Sequence, residues 1–168
     1  LKDLGMEKAR FEVKLDPLAE PGPNGMDRVE FMLSANPGEG LKPLEKVASG
    51  GEMSRIMLAF KAIAANADSI PTLIFDEIDT GISGHIAAVV GEKMVSIADS
   101  HQVLCVTHLP QIAALADVHF MVQKQDDGNT ARTSLKRLEM EERYEYIARM
   151  MSGMEDSRLA YEHARELI

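Results

Sequence analysis

The sequence contains a single cysteine, Cys105, in 168 residues. That excludes a disulfide framework and fits a reducing, cytoplasmic setting. Cys105 lies inside an apolar run and reads as a small core residue rather than a reactive thiol. No apolar run approaches the roughly 20 residues needed to span a bilayer, and nothing at the start reads as a signal peptide, so no membrane contact is expected. Basic side chains are outnumbered 18 to 27, giving a net charge of −9. A large phosphate-binding footprint on this chain is therefore not expected, and any DNA contact would need a local basic patch or another part of the protein. Internal repeats and low-complexity segments are also lacking. So is the phosphate-cradling pattern Gly-x-x-x-x-Gly-Lys-[Ser/Thr]: Gly38-Glu39-Gly40-Leu41-Lys42 has neither its spacing nor its Gly-Lys pair. The chain opens at Leu1 rather than Met, which fits a fragment or a processed piece.

What is present reads as an ordinary globular composition, 45% hydrophobic and 27% charged, with no shift that divides residues 1–168 into more than one domain. Eleven methionines spread along the chain serve as core filler. The central stretch is Leu73-Ile74-Phe75-Asp76-Glu77-Ile78-Asp79. Consecutive apolar residues predict a strand covered on both faces, as in a parallel sheet. Ligands of open α/β sheets sit beyond the carboxyl ends of such strands. Asp76, Glu77 and Asp79 would then project into a cleft, where oxygen ligands hold Mg²⁺ and a carboxylate acts as a base. A strand ending in a solvated acidic turn gives the same pattern.

Upstream, Phe11, Val13 and Leu15 alternate with Arg10, Glu12 and Lys14, and Val29, Phe31 and Leu33 repeat the pattern. Together they predict an antiparallel pair with one wet face, joined by a loop from Pro17 to Gly25. A second loop, opened by Asn36-Pro37-Gly38, runs to about Pro43. A helix then begins at Ser49-Gly50-Gly51-Glu52, with Met53, Ile56, Met57, Phe60, Ile63, Ala64 and Ala67 at helical spacing. Ser49 with Glu52 makes a capping box, which needs no further role. The two glycines in the first turn are poor helix formers, however. They admit another molecule to backbone N–H groups that favour an anion.

Downstream, Ser83 is a plausible cap for a helix to about Ala98. A second apolar run, Gln102 to Thr107, ends at His108, and Pro110 starts another helix. The strand–polar residue–helix layout thus repeats, as βα units of a parallel sheet do. His108 is either structural or a partner of the carboxylates at one sheet edge. Val118 to Lys124 and Thr130 to Leu138 predict a hairpin turned at 126–129. Glu141 to Met151 predicts an amphipathic helix closed by Gly153, and Ser157 to Ile168 a last helix with a solvated charged face.

Ser49-Gly50-Gly51-Glu52-Met53, Leu73 to Glu77, Ile78-Asp79-Thr80 and His108 stand in the order of the signature motif, Walker B strand, D-loop and switch histidine of ABC-type ATPase heads. The longer stretches 29–39, 46–55, 75–84 and 106–111 resemble the RecN family, SMC-like proteins of bacterial DNA double-strand-break repair. The resemblance runs from about Gly5 to Leu167 and is weakest in the hairpin and last helix. It implies an α/β fold, the C-terminal half of an ABC/SMC-type P-loop ATPase head, mainly parallel sheet with flanking helices plus antiparallel hairpins. It also implies that the Walker A lobe and coiled coil lie outside this segment. In this reading ATP and Mg²⁺ are the cofactors. Asp76 would hold Mg²⁺, Glu77 would activate water and His108 would sense the γ-phosphate. Ser49, Gly50, Gly51 and Glu52 would face the nucleotide of a second head, and Asp79 would communicate between the sites. Glu52 replaces the Gln of transporter signatures, as in the SMC-like branch, and suits an anion less well. The implied partners are the N-terminal Walker A lobe, a second head in an ATP-dependent homodimer, and DNA through the full-length protein. Two readings of other classes are a metal-dependent nuclease using Asp76, Glu77, Asp79 and His108, and a non-catalytic interaction module.

Overall fold

A computed structural model describes residues 1–35, 37–46, 49–64, 70–126, 131–153 and 157–168. The expected hairpin turn, apart from Asp126, and the expected helix position Ala67 lie outside these residues. So do Asn36, Val47 and Ala48. The chain divides into two compact units, Leu1–Ile82 with Ile97–Val106, and Ser83–Ser96 with Thr107–Ile168.

In the first unit, β1 (Arg10–Gly22) and β2 (Gly25–Ser34) pair antiparallel. The short β3 (Lys42–Pro43) pairs with β2, leaving β1 at an edge. Phe11, Val13 and Leu15 stand opposite Leu33, Phe31 and Val29, as their alternation predicts. The expected loop is largely strand, because Pro17 and Pro21 are tolerated on an edge strand that need not donate on its outer side. The register slips between Pro17 and Gly22, and the turn is reduced to Pro23-Asn24. The apolar face of this ribbon is also more open than one wet face implies. Val13, Leu15, Val29 and Phe31 are all exposed, and only Leu33 is fully buried.

Helix α1 (Gly50–Ala64) closes on this ribbon through Phe60, whose ring lies 5.4 Å from Phe11 and 5.8 Å from Phe31. Its buried side coincides with the expected apolar stripe only at Ile56. Gly51, Arg55, Ile56 and Leu58 are buried, whereas Met57 is exposed and Ile63 is 86% exposed. Strands β4 (Thr72–Phe75) and β5 (Gln102–Cys105) run parallel in register from Thr72 beside Gln102 to Phe75 beside Cys105. The apolar run predicts burial on both faces, but only one face is covered. Leu73 and Phe75 are buried, whereas Ile74 is 70% exposed and Leu104 and Val106 are exposed with it.

In the second unit, β6 (Phe120–Asp126) and β7 (Ala131–Arg137) form the expected hairpin, shifted by two residues at its start. Helix α2 (His85–Ala98) has its first-turn bond from Ala88 N–H to the carbonyl of Gly84 rather than Ser83. The stretch after Pro110 gives only the short α3 (Pro110–Ala113). Helices α4 (Met140–Ser152) and α5 (Arg158–Leu167) pack with α3 around Ala113, Ala114, Ile147, Ala148 and Ala164. Gly153 closes α4 with a left-handed φ of 65°, the conformation glycine adopts without a Cβ penalty. Arg143 is buried on α4, where no apolar pattern announces it. Its Nη2 donates to the carbonyls of Ala114 and Ala116 at 3.3 and 2.6 Å.

His119 is buried beside this pair, its ring edge-on to Tyr146 at 5.5 Å and its Nδ1 without a hydrogen-bond partner. Burial, and secondarily the Arg143 charge, pull its pKa below the usual imidazole value. The unfolded chain therefore binds this proton more readily than the folded one. The stability that His119 contributes as a neutral ring is complete above the unfolded pKa of about 6.5 and is lost as pH falls through it toward the folded value. Thermal melts taken from about pH 8 down to about pH 5 should show a falling midpoint that flattens in His119→Gln; an unchanged slope in that variant would remove His119 as the cause.

Candidate functional site

The acidic turn after β4 is built by the start of α1. Ser49 and Glu52 close a capping box: Ser49 N–H donates to Glu52 Oε2 at 3.1 Å, and Glu52 N–H donates to Ser49 Oγ at 3.3 Å. Serine thereby accepts one bond and keeps its hydroxyl hydrogen to donate, so the cap and an anion-binding role use the same side chain without conflict. The first amides of a helix also lack intrahelical acceptors, which is why such a terminus favours an anion. The Glu52 carboxylate is engaged by Ser49, so whatever it lends to a phosphate passes through the placement of Ser49.

One turn on, Ser54 Oγ donates to the carbonyl of Asp76 at 2.6 Å. Arg55 is 5% exposed, and its Nη1 donates to the carbonyls of Ile78 and Thr80 at 3.2 and 2.9 Å. Burial lowers the guanidinium pKa, while nearby Glu52 opposes the shift; a guanidinium, with an ordinary pKa above about 12, stays charged regardless. Within the turn, Glu77 N–H donates to Asp76 Oδ1 at 2.9 Å, and Thr80 N–H donates to the carbonyl of Glu77 at 3.0 Å. Glu77 takes a left-handed φ of 56°, the one non-glycine to do so among the described residues. Such a conformation costs on the order of 1 kcal/mol and persists where its surroundings fix it.

The glycines of the helix start are what let the turn come so close. A Cβ at Gly51 would stand 2.8 Å from the Glu77 carbonyl oxygen, 3.0 Å from Thr80 Cβ and 3.2 Å from Arg55 Nη1. A Cβ at Gly50 would meet only the tip of the Glu77 side chain, its Oε2 at 2.1 Å.

The structure therefore brings Ser49, Gly50, Gly51 and Glu52 together with Asp76, Glu77 and Asp79. Asp76 and Glu77 are exposed, whereas Asp79 is 3% exposed. His108 is exposed and belongs to the second unit, in the stretch between β5 and α3, where Leu109 N–H donates to Thr107 Oγ1 at 3.0 Å. Cys105 is partly buried, and its thiol is pushed up to about 12, chiefly by burial and then by the negative charges of Asp79 and Asp76. It is thus protonated and unreactive at neutral pH. Among the described residues, no three of His, Cys, Asp and Glu are grouped to hold a metal ion. A single exposed carboxylate such as Asp76 suits Mg²⁺, which keeps several waters and takes its other ligands from phosphates. Sequence reasoning gave Ser54, Arg55 and Thr80 no role of their own, although all three lie within the stretches that carry the family resemblance.

Solved structures with this architecture are SMC-type ATPase heads. A head domain with coiled coil and joint from Pyrococcus yayanosii superposes at a TM-score of 0.60 over 90% of this chain and 27% of its own, at 21% identity. A chain from work on ATP-driven dimerization and DNA-stimulated activation of SMC ATPases gives 0.54 over 90% of this chain and 86% of its own, at 20% identity. The fold is that of the C-terminal lobe of an ABC/SMC-type head. No family model matches the sequence. The DNA repair protein RecN of Halalkalibacterium halodurans is 51% identical over 172 residues, and that of Deinococcus radiodurans is 50% identical over 169, each covering 100% of this chain. The chain belongs to the RecN family as a segment, spanning about 30% of the length of the curated relatives it matches.

The unequal surroundings of the two glycines give a direct check. Gly51→Ala meets backbone and should destabilise by about 1–3 kcal/mol in urea unfolding. Gly50→Ala displaces only a side-chain tip and should cost about 1 kcal/mol or less. Equal costs would mean that the turn does not press on Gly51 as described.

Proposed function

We propose that residues 1–168 act as one lobe of an ATP-hydrolysing head in a RecN-like DNA repair protein, with the Walker A lobe supplied by the remainder of that protein. The observation that carries this reading is the fixed attachment of the acidic turn 76–80 to the glycine-bearing start of α1. A nuclease site or a solvated turn needs no such attachment.

ATP is the substrate, and Mg²⁺ bound with it supplies positive charge that offsets the phosphate oxygens. Asp76 would hold that ion, its carboxylate oriented by the N–H of Glu77. Glu77 would orient the attacking water and take its proton, which requires hydrogen-bond reach to that water. His108 would contact the γ-phosphate. The Ser49 hydroxyl and the amides of Gly50 and Gly51 would bind the γ-phosphate of a nucleotide carried by a second head, with Glu52 holding Ser49 in place. Asp79 would communicate between the two sites. Glu77 Oε2 rests against Gly50, so its carboxylate must turn outward before another anion can sit at that helix start. Two heads would then close on ATP and part on hydrolysis, tethering DNA ends or duplexes through the full-length protein.

Exposed apolar surface supports a Walker A lobe as the neighbour. A groove of about 300 Å³ is lined by residues of α1 and β4, mostly apolar (Met53, Met57, Phe60 and Ile74 among them) with Ser54 and Lys61, and Ile74 on β4 is exposed. A continuous apolar strand with one bare face is a surface shaped for another layer.

ATP turnover with Mg²⁺ should be absent in this chain alone and should arise when it is combined with the Walker A lobe. Glu77→Gln in the combined head should lower kcat by about a hundredfold or more while leaving ATP binding intact. Turnover by this chain alone would contradict the missing-lobe reading, and unchanged turnover in Glu77→Gln would remove Glu77 as the base. Silence in both samples, with the lobes shown to associate, would favour the non-catalytic module.

A further inference from the structure

We propose that Arg55 is a positioning residue that ties the orientation of Asp79 and Glu77 to the start of α1, so that whatever binds at Ser49–Gly51 is felt at the acidic turn of the same chain. This rests on the ATPase reading above. Arg55 lies one helical turn after Gly51, and its Nη1 reaches the carbonyls of Ile78 and Thr80, the two residues flanking Asp79. One planar group thus holds the 78–79 and 80–81 peptide planes, which bracket Asp79 and Thr80, and the Asp79 side chain is itself buried. The same helix start holds the turn at its other end, where Ser54 Oγ grips the carbonyl of Asp76. Between these grips, a single carbon added at Gly51 would collide with the Glu77 carbonyl oxygen at 2.8 Å and crowd Arg55 Nη1 at 3.2 Å. The space beside Gly51 is too small for one carbon, and the hydrogen bonds of Ser54 and Arg55 tie the helix start to the turn, so a displacement of the helix start is passed to residues 76–80.

The chemistry of the residue points the same way. Arg55 Nε is buried and has no hydrogen-bond partner. A buried cation with an unpaired donor is a poor choice for stability alone, since an apolar side chain of similar volume fills such a place at less cost. What the guanidinium adds is a rigid, planar donor that fixes two carbonyls at once, and a lysine ammonium on a flexible stem does not reproduce that.

The test uses the full-length protein, with Arg55→Lys and Arg55→Met compared with a core control on the same helix, Leu58→Ala. Measured are the melting temperature, kcat and KM for ATP, and nucleotide-dependent dimerisation with the non-hydrolysed analogue AMP-PNP. The expected result is a kcat at least tenfold lower in both Arg55 variants, with KM within about twofold of wild type and AMP-PNP still driving dimerisation. The retained melting temperature and dimerisation separate positioning from loss of fold, because unfolding of part of the protein lowers apparent kcat and AMP-PNP-driven dimerisation together while leaving KM unchanged. Leu58→Ala should show the latter pattern. If an Arg55 variant fails to fold, the other carries the comparison. The inference is overturned if folded Arg55 variants keep wild-type kcat, or if their losses in kcat and dimerisation follow melting temperature as in Leu58→Ala. A wild-type protein without ATP turnover overturns the ATPase reading and this inference with it; an active wild type with unaffected variants overturns this inference alone.

Discussion

The contact between the first turn of α1 and residues 76–80 is the constraint on which the rest of the site depends. Helix and turn are more than 20 residues apart in sequence, yet they are joined by Ser54 to the Asp76 carbonyl and by Arg55 to those of Ile78 and Thr80. The glycines at positions 50 and 51 allow the approach. The left-handed backbone of Glu77 then follows as a consequence. A non-glycine residue stays in that region only when its neighbours leave no alternative, and here its N–H and carbonyl are both committed within the turn. The carboxylates are therefore displayed by a backbone held by its own hydrogen bonds; in the proposed function this is the preorganisation that electrostatic catalysis requires.

That arrangement joins two segments with different chemistry. The strand end presents the groups suited to a cation and to water, and the helix start presents the hydroxyl and amides suited to a phosphate. In the proposed function they serve different nucleotides, one held by the same head and one by its partner. A rigid connection between them would make the state of one site count at the other, which is the physical content of coupling between sites.

Much of this was legible in the sequence, for identifiable reasons. The parallel pair β4–β5 announced itself by uncharged apolar runs, and the β1–β2 pair by alternation at Phe11, Val13, Leu15 and Val29, Phe31, Leu33. The capping box at Ser49 and Glu52 was visible as a spacing and is present as two hydrogen bonds. The misreadings are informative too. Pro17 and Pro21 suggested a loop, because proline signals a break unless a strand lies at an edge, and edge position is a tertiary property. The α1 stripe was read from apolar residues alone, so the buried side that includes Arg55 was passed over; hydropathy patterns do not register a charge buried for its hydrogen bonds. The run at 73–75 predicted two covered faces where one is seen, since an apolar side chain such as Ile74 suits burial whether or not a layer covers it, and here it is exposed. The capping box and phosphate readings of Ser49 could not be separated from spacing, because they use the same atoms.

In the proposed function each head supplies Glu77 to its own nucleotide and Ser49 to its partner's. The most direct test mixes two inactive full-length variants, Ser49→Arg and Glu77→Gln, and follows ATP turnover. A mixed pair contains one composite site in which both residues are intact, so the mixture should recover turnover that neither variant shows alone. A mixture as silent as its components, under conditions where the two proteins are shown to associate, would contradict the shared site.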